Sequence, residues 1–504
     1  RSGGPGLPAV RLGPGGSSFV KLSHLTEPPL EFGGAMRHVD IRFGLMDYGP
    51  FDAGMEGTPK RIKVGIVGSA ETVEGTARWL ESCRTGFEAK ASRQPNLFPA
   101  FPGLSFEEAF RCEFVNSDEL QRVLPPKEIA RLAAIPGQRE MTRAVVESIA
   151  DEIGVLSERT TKPDVVLVAL PIEIIQRTYN ARAATSSEND EDGPDESGPE
   201  LDFRGMLKAS CMRLHLPIQL LWPTTFDPAY KIPRKLKENS DRRTQDPATI
   251  AWNLLTAVYY KAGGLPWRLA RDARQLRTSF VGLSFYRSID GEHVHTSTAQ
   301  MFDERGEGLI LRGGRMVESE EDRRPHLTAE DAYELLRNSL KVFRQQHGHY
   351  PARVVLHKTS RFDRNELAGF HKAIDERDID YADLIWVQKS MTRLYRLGVY
   401  PPLRGSLLRF EKDQALLYTR GSVEFFRTYP GMYVPRPLML RCQALGQPLQ
   451  HVAAEMLALT KMNWNNTQFD NGLPITIAAA KQVGEVLKYV PDGQEIAPRY
   501  SFYM

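Results

Sequence analysis

Arg204, Lys208, Gln219 and Lys261 are residues whose types and spacing suit the capture of one small anion. Arg204 and Lys208 lie four apart in Asp202-Phe-Arg-Gly-Met-Leu-Lys208, so on a helix they share one face. Gln219 follows eleven residues after Lys208 and just past Pro217. It heads an apolar run (Ile218, Leu220, Leu221, Trp222) that reads as a strand. Lys261 sits in Thr256-Ala-Val-Tyr-Tyr-Lys261-Ala-Gly-Gly-Leu-Pro-Trp267. Three cations and a neutral amide, with no carboxylate among them, suit a phosphate. Arg offers a planar fork of donors, Lys a point charge and Gln an uncharged donor.

The surrounding chain must hold these groups in place. At 504 residues it has the length for two or more domains, with ample core. Its 41% hydrophobic and 25% charged content is ordinary for a globular protein. The net charge of +2 means that any nucleic-acid surface must be local. No apolar run approaches the roughly eighteen residues of a membrane-spanning helix, and no apolar leader core opens the chain. Cys83, Cys112, Cys211 and Cys442 are scattered without metal-site spacing. Reduced thiols in a cytoplasm are the expectation, although spacing alone leaves a disulfide open.

Residues 1–17, rich in Gly, Pro and Ser, read as a disordered start. Residues 18–60 form an N-terminal extended segment. Its landmark, Glu27-Pro-Pro-Leu-Glu-Phe-Gly33 on to Phe43-Gly-Leu-Met-Asp-Tyr-Gly-Pro-Phe-Asp52, reads as extended chain with turns. An α/β domain follows over 61–240. Strand 61–67, a Gly68-Ser-Ala-Glu71 helix opening, helix 139–153 and strand 164–170 alternate there. No Gly-Lys-Ser/Thr follows Gly65 and Gly68, so this is not a Walker A loop. Residues 184–200 are acidic and low in complexity and read as a surface loop; 227–247, with three prolines, reads as a linker. Helix 248–261 stops at Gly263-Gly264. Arg268, Arg271, Arg274 and Arg277 recur every third residue, which suits a basic stripe or a solvated surface equally. Strand 279–287, segments 293–302 and 308–312, helix 328–346, strand 352–357, helix 363–376 and strand 380–388 complete a second α/β unit within 241–504.

The spaced Arg, Lys and Gln together with Tyr-Lys-Ala-Gly-Gly-Leu-Pro-Trp267 resemble the guide 5′-phosphate pocket of Argonaute proteins. That family more often has Tyr or His where Arg204 stands. The Gly/Pro landmark before Asp52 resembles the N-terminal signature of prokaryotic Argonautes. Leu459-Thr-Lys-Met-Asn-Trp-Asn-Asn-Thr-Gln468 and Leu473-Pro-Ile-Thr476 resemble the C-terminal half of a PIWI domain. The resemblance implies a Rossmann-like MID domain over 61–240 and an RNase H-like PIWI domain over 241–504. No stretch is left for a PAZ domain, as in short prokaryotic Argonautes.

An RNase H-type nuclease clusters carboxylates around two divalent metals. By the resemblance, the first Asp position reads Val281-Gly-Leu-Ser284. The second reads His357-Lys-Thr359-Ser-Arg361, and the last falls at Ala480-Lys481. Ser284, Thr359 and Lys481 are not metal ligands of that kind, so an inactive PIWI is expected. Asp290, Asp363 and Glu366 remain as carboxylates for a displaced site, but carboxylates on turns and helix starts more often serve as caps.

The resemblance further implies a guide-loaded sensor. A 5′-phosphorylated guide RNA would be anchored by Arg204, Lys208, Gln219 and Lys261 and would pair with a single-stranded DNA target. Lys389, Arg393, Arg396, Asn463 and Asn466 are candidates for backbone contacts. A Mg2+ ion at the guide phosphate would be held by the Met504 carboxylate and Gln219. The implied partner is an APAZ-containing effector (TIR, Sir2 or nuclease) that acts in defence against plasmids and phage, for instance by depleting NAD. A guide-directed nuclease and a guide-independent scaffold are the alternatives.

Overall fold

This computed structural model describes residues 20–178, 201–227, 229–230, 245–270, 275–289, 291, 293–302, 308–315, 317–318, 324–395, 401–431, 434–468, 471–491 and 493–504. The disordered start, the acidic segment and most of the linker read from the sequence lie outside them, as do Arg271, Arg274, Asp290 and Arg396.

The N-terminal strap holds β1 (Lys21–His24), β2 (Leu30–Glu31), β3 (Arg37–His38) and helix α1 (Ile41–Tyr48). The helix corrects the expectation of extended chain across this region. The Asp40 side chain accepts from the amides of Arg42 and Phe43 and so caps it, while Ile41 and Leu45 are buried along one side. Gly44 is there for packing and does not break the helix: a Cβ would lie 2.2 Å from the Phe32 ring.

The first α/β unit runs β4 (Arg61–Gly68), α2 (Ala70–Thr85), β5 (Glu113–Val115), β6 (Gln121–Val123), α3 (Pro126–Ala134) and α4 (Gln138–Glu158). It continues with β7 (Val165–Ala169), α5 (Ile172–Thr178), α6 (Phe203–Met212), β8 (Ile218–Leu221), α7 (Pro223–Phe226) and α8 (Pro247–Lys261). Its sheet has the order β5-β4-β7-β8, with β6 beside β4, and every pairing is parallel. β7 is apolar and buried throughout because helices cover both faces. Val166 and Val168 pack toward α4 and α6. Val165 and Leu167 join a larger core with α2 and α8.

After β9 (Arg268–Leu269), the second unit runs β10 (Thr278–Arg287), β11 (Val294–Phe302), β12 (Gly308–Arg315), β13 (Val317–Glu318), β14 (Pro325–His326), α9 (Ala329–His347), β15 (Arg353–Lys358), α10 (Arg364–Asp375) and β16 (Tyr381–Lys389). Then come β17 (Ser406–Arg409), β18 (Gln414–Leu417), β19 (Leu438–Ala444), α11 (Leu449–Leu459) and α12 (Ile475–Leu487). Among the described residues nine strands form one mixed sheet, β1-β17-β18-β19-β16-β15-β10-β11-β12. The segment β12-β11-β10-β15-β16 has the antiparallel and then parallel order of an RNase H-like sheet. Helices α9 and α10 cover one face of it, and α11 and α12 lie against the other.

Helix α12 lies tight against the sheet at Gly282, where a Cβ would lie 2.0 Å from the Thr476 carbonyl oxygen. Gly282→Ala should therefore push α12 off β10 and destabilise by about 2–3 kcal/mol. An unchanged urea midpoint would refute that contact.

Candidate phosphate-binding site

The pocket is built where α6, β8, α8 and the last residues of the chain meet. Asp202 caps α6, its carboxylate accepting from the amides of Arg204 and Gly205 at 3.1 and 2.9 Å. Gly205 lets α6 settle on α12, since a Cβ would lie 2.7 Å from the Glu485 carbonyl oxygen. The helix therefore carries Arg204 and Lys208 on one face, as their spacing requires. β8 brings in Gln219, and Lys261 is the last residue of α8. Residues 498–504 reach the pocket along the edge of β12, where the Ile310 amide donates to the Pro498 carbonyl at 2.7 Å.

All four expected residues come together there. Lys261 Nζ donates to Gln219 Oε1 at 2.6 Å, to the Ile218 carbonyl at 2.8 Å and to the Met504 oxygen at 3.3 Å. Lys208 Nζ donates to the Tyr503 carbonyl at 2.9 Å. Both lysines are 3% exposed, and no Asp or Glu side chain among the described residues forms an ion pair with either. Burial, followed by the charge of half-buried Arg204, holds both ammoniums well below the usual lysine range; Lys261 adds to this at Lys208. Excess positive charge surrounded by carbonyl dipoles is an arrangement that a multiply charged anion would relieve.

The Mg2+ expectation meets a different arrangement. The two donors assigned to it, Gln219 Oε1 and the Met504 oxygen, both face the Lys261 ammonium. With Lys208 and Arg204 beside them, the protein groups alone do not make the oxygen-rich cradle that a hard divalent cation takes.

Other candidates make local contacts. The side-chain oxygens of Asn463 and Asn466 accept from the amides of Asn465 and Gln468, so both close turns. Arg393 is exposed and donates to the Met391 carbonyl at 2.9 Å, and Lys389 ends β16. Arg268 is not part of a free basic stripe: it pairs with Glu31 at 2.9 Å and lies over the Phe51 ring.

At the nuclease-like positions, Ser284 is buried in β10, Thr359 follows β15 and Lys481 lies on α12. The Thr359 carbonyl accepts from Trp386 Nε1 at 3.0 Å. His357 is buried against the Thr476 hydroxyl at 2.8 Å, and burial lowers its pKa to about 3, so it is neutral. His326, Asp363 and Glu366 have the spacing of a metal site. Lys358, however, puts its ammonium 2.5 and 2.6 Å from the two Glu366 oxygens, and Asp363 with Glu366 forms the capping box of α10. Sequence reasoning had Asp363 and Glu366 as caps but missed Lys358, which closes the cluster from eight residues away.

No protein-family model and no curated protein matches the sequence. Among solved structures, the chain is similar to Clostridium butyricum Argonaute bound to a guide DNA and a 19-mer target DNA. The TM-score is 0.61 and the identity 16%, over 94% of this chain and 54% of that one. It is also similar to an Argonaute structure named Aa-Ago, with externally bound siRNA (TM-score 0.58, 14% identity, 96% and 56% coverage), and to A. aeolicus Argonaute (TM-score 0.55, 14% identity, 95% and 54% coverage). The chain has the Argonaute-like MID–PIWI fold. It spans just over half the length of these Argonautes.

Proposed function

We propose that this chain anchors the 5′-phosphate of a guide strand, RNA by the resemblance, and presents the guide for pairing with single-stranded DNA without cutting it. The observation that carries this reading is the convergence of Arg204, buried Lys208, Gln219 and buried Lys261, with no Asp or Glu side chain among the described residues paired to either lysine. The similar Clostridium butyricum protein holds guide and target DNA on the same fold. Sequence is then read by base pairing, while the protein reads backbone and shape.

Support for a non-cleaving PIWI comes from Ser284, Thr359 and Lys481 at the family's ligand positions, and from Lys358 filling the His326–Asp363–Glu366 cluster. Target recognition would be reported to an APAZ-containing effector with a TIR, Sir2 or nuclease domain in prokaryotic defence, with the chain in the cytoplasm. Among the described residues no helix is long and apolar enough to cross a membrane.

The test extracts nucleic acid from the purified chain, labels its ends and digests it with RNase or DNase. A complementary target is then supplied with Mg2+ or Mn2+. Bound short 5′-phosphorylated RNA and an intact target are expected. Metal-dependent cleavage would favour the nuclease alternative. Absence of bound nucleic acid, with no uptake of a synthetic guide, would favour a scaffold.

A further inference from the structure

The Asp47-Tyr-Gly-Pro-Phe-Asp52 landmark takes no part in the anion pocket, yet the structure seats it against the turn that follows Lys261. Asp52 is 8% exposed and uses both carboxylate oxygens. Oδ1 accepts from the Tyr259 hydroxyl at 2.7 Å, and Oδ2 accepts from the Leu265 amide at 2.8 Å. The two donors flank Lys261, one two residues before it and one four residues after. The backbone reinforces the clasp, since the Phe51 amide donates to the Pro266 carbonyl at 2.9 Å.

The turn itself is built for this contact. Gly263 has φ +96, in the left-handed region that favours glycine. At Gly264 a Cβ would lie 2.3 Å from the Tyr259 ring, so only glycine lets the ring lie flat against the turn with its hydroxyl toward Asp52. Tyr259 is itself fully buried. Lys261 therefore leaves its helix at a point fixed on both sides by one carboxylate some two hundred residues away in sequence.

We infer that Asp52 is a positioning residue for the anion pocket: by clasping Tyr259 and Leu265 it sets the end of α8 so that the Lys261 ammonium meets the phosphate. This rests on the reading of the pocket as a guide-phosphate site. Asp52 touches no ligand and works through its two partners. Misplacing a charged donor by a fraction of an ångström weakens charge-assisted hydrogen bonds steeply with distance and angle.

The test measures the affinity of the full chain for one guide sequence with a 5′-phosphate and with a 5′-hydroxyl. The ratio of the two is the readout, and the 5′-hydroxyl guide reports that the fold persists. Asp52→Ala should lower the ratio about tenfold. Asp52→Asn should restore most of it, because its amide oxygen can take the Oδ2 place and accept from the Leu265 amide while its NH2 donates to the Tyr259 oxygen. Tyr259→Phe, which keeps the ring, should lower the ratio about threefold and decides the matter if Asp52→Ala fails to fold. Lys261→Ala separates the two readings. If it abolishes the phosphate preference while Asp52→Ala, or in its place Tyr259→Phe, leaves the ratio at the wild-type value, the clasp has no positioning role. If Lys261→Ala leaves the ratio unchanged, the pocket assignment falls and the inference with it.

Discussion

Lys208→Met should give a chain that melts higher than the wild type when empty and that has lost its hold on a 5′-phosphorylated guide. Burial, then Arg204 and Lys261, keep the Lys208 pKa well below that of a free lysine. The sign follows from proton counting. Between the lowered folded value and the unfolded value of about 10.4, the unfolded chain binds more protons. Stability of the empty wild type therefore rises with pH through that window, and at neutral pH the folded state carries a penalty. Methionine has a similar length and no charge. Replacing the ammonium removes the penalty and leaves one acceptor, the Tyr503 carbonyl, without that donor. A net gain of about 1 kcal/mol is expected, within the range seen when buried charges give way to apolar groups.

The same change should weaken binding of a 5′-phosphorylated guide about a hundredfold, the worth of one buried charge-assisted contact. A 5′-hydroxyl guide should bind much as before. Melting curves of both proteins from pH 7 to 10, with and without each guide, make the comparison. A variant that melts lower when empty and still prefers the phosphate would show that Lys208 is a core residue only.

The proposed pocket was legible in the sequence because its residues are placed by local spacing. Arg204 and Lys208, four apart, share one face of α6, and the Gly263-Gly264 stop puts Lys261 at the end of α8. The alternation of strands and helices was legible for the same local reason: β4, β7, β10, β15 and β16 all fall within a residue or two of where apolar runs and glycine turns put them. What could not be read was anything fixed by distant contacts. The Tyr503 carbonyl that meets Lys208 lies 295 residues along the chain, and Asp52 lies 207 from Tyr259. Helix α1 was missed because Gly44 and Gly49 looked like breaks, although Gly44 serves the Phe32 ring and only Gly49, with φ +74, marks the end. Asn463 and Asn466 each use the side-chain oxygen to close a turn, a local role that the sequence alone did not separate from a nucleic-acid contact.

Lys358→Ala should destabilise by about 3–5 kcal/mol at neutral pH, because it strands a buried carboxylate. Lys358 and Glu366 are both fully buried, and the Leu327 amide adds a 2.8 Å bond to Glu366 Oε1. Burial alone would raise the Glu366 pKa, but the His326 hydrogen bond and the Lys358 charge outweigh it and bring it below the usual carboxylate value. A lowered carboxylate contributes stability that is fully present above its unfolded pKa of about 4.3 and is lost as pH falls through the folded pKa. In the variant the opposing influence of the ammonium is gone. Burial then raises the Glu366 pKa, so the folded variant takes up a proton earlier than the wild type does. The stability gap should accordingly be widest near pH 7 and narrow toward pH 4. The double change Lys358→Met with Glu366→Gln should recover much of the loss, since it removes both charges together. Urea unfolding of the three proteins at the two pH values reads this directly. A gap below about 1 kcal/mol at pH 7, the range of a surface pair, would mean that the ammonium does not organise the cluster. The His326–Asp363–Glu366 cluster would then be open to a cation after all.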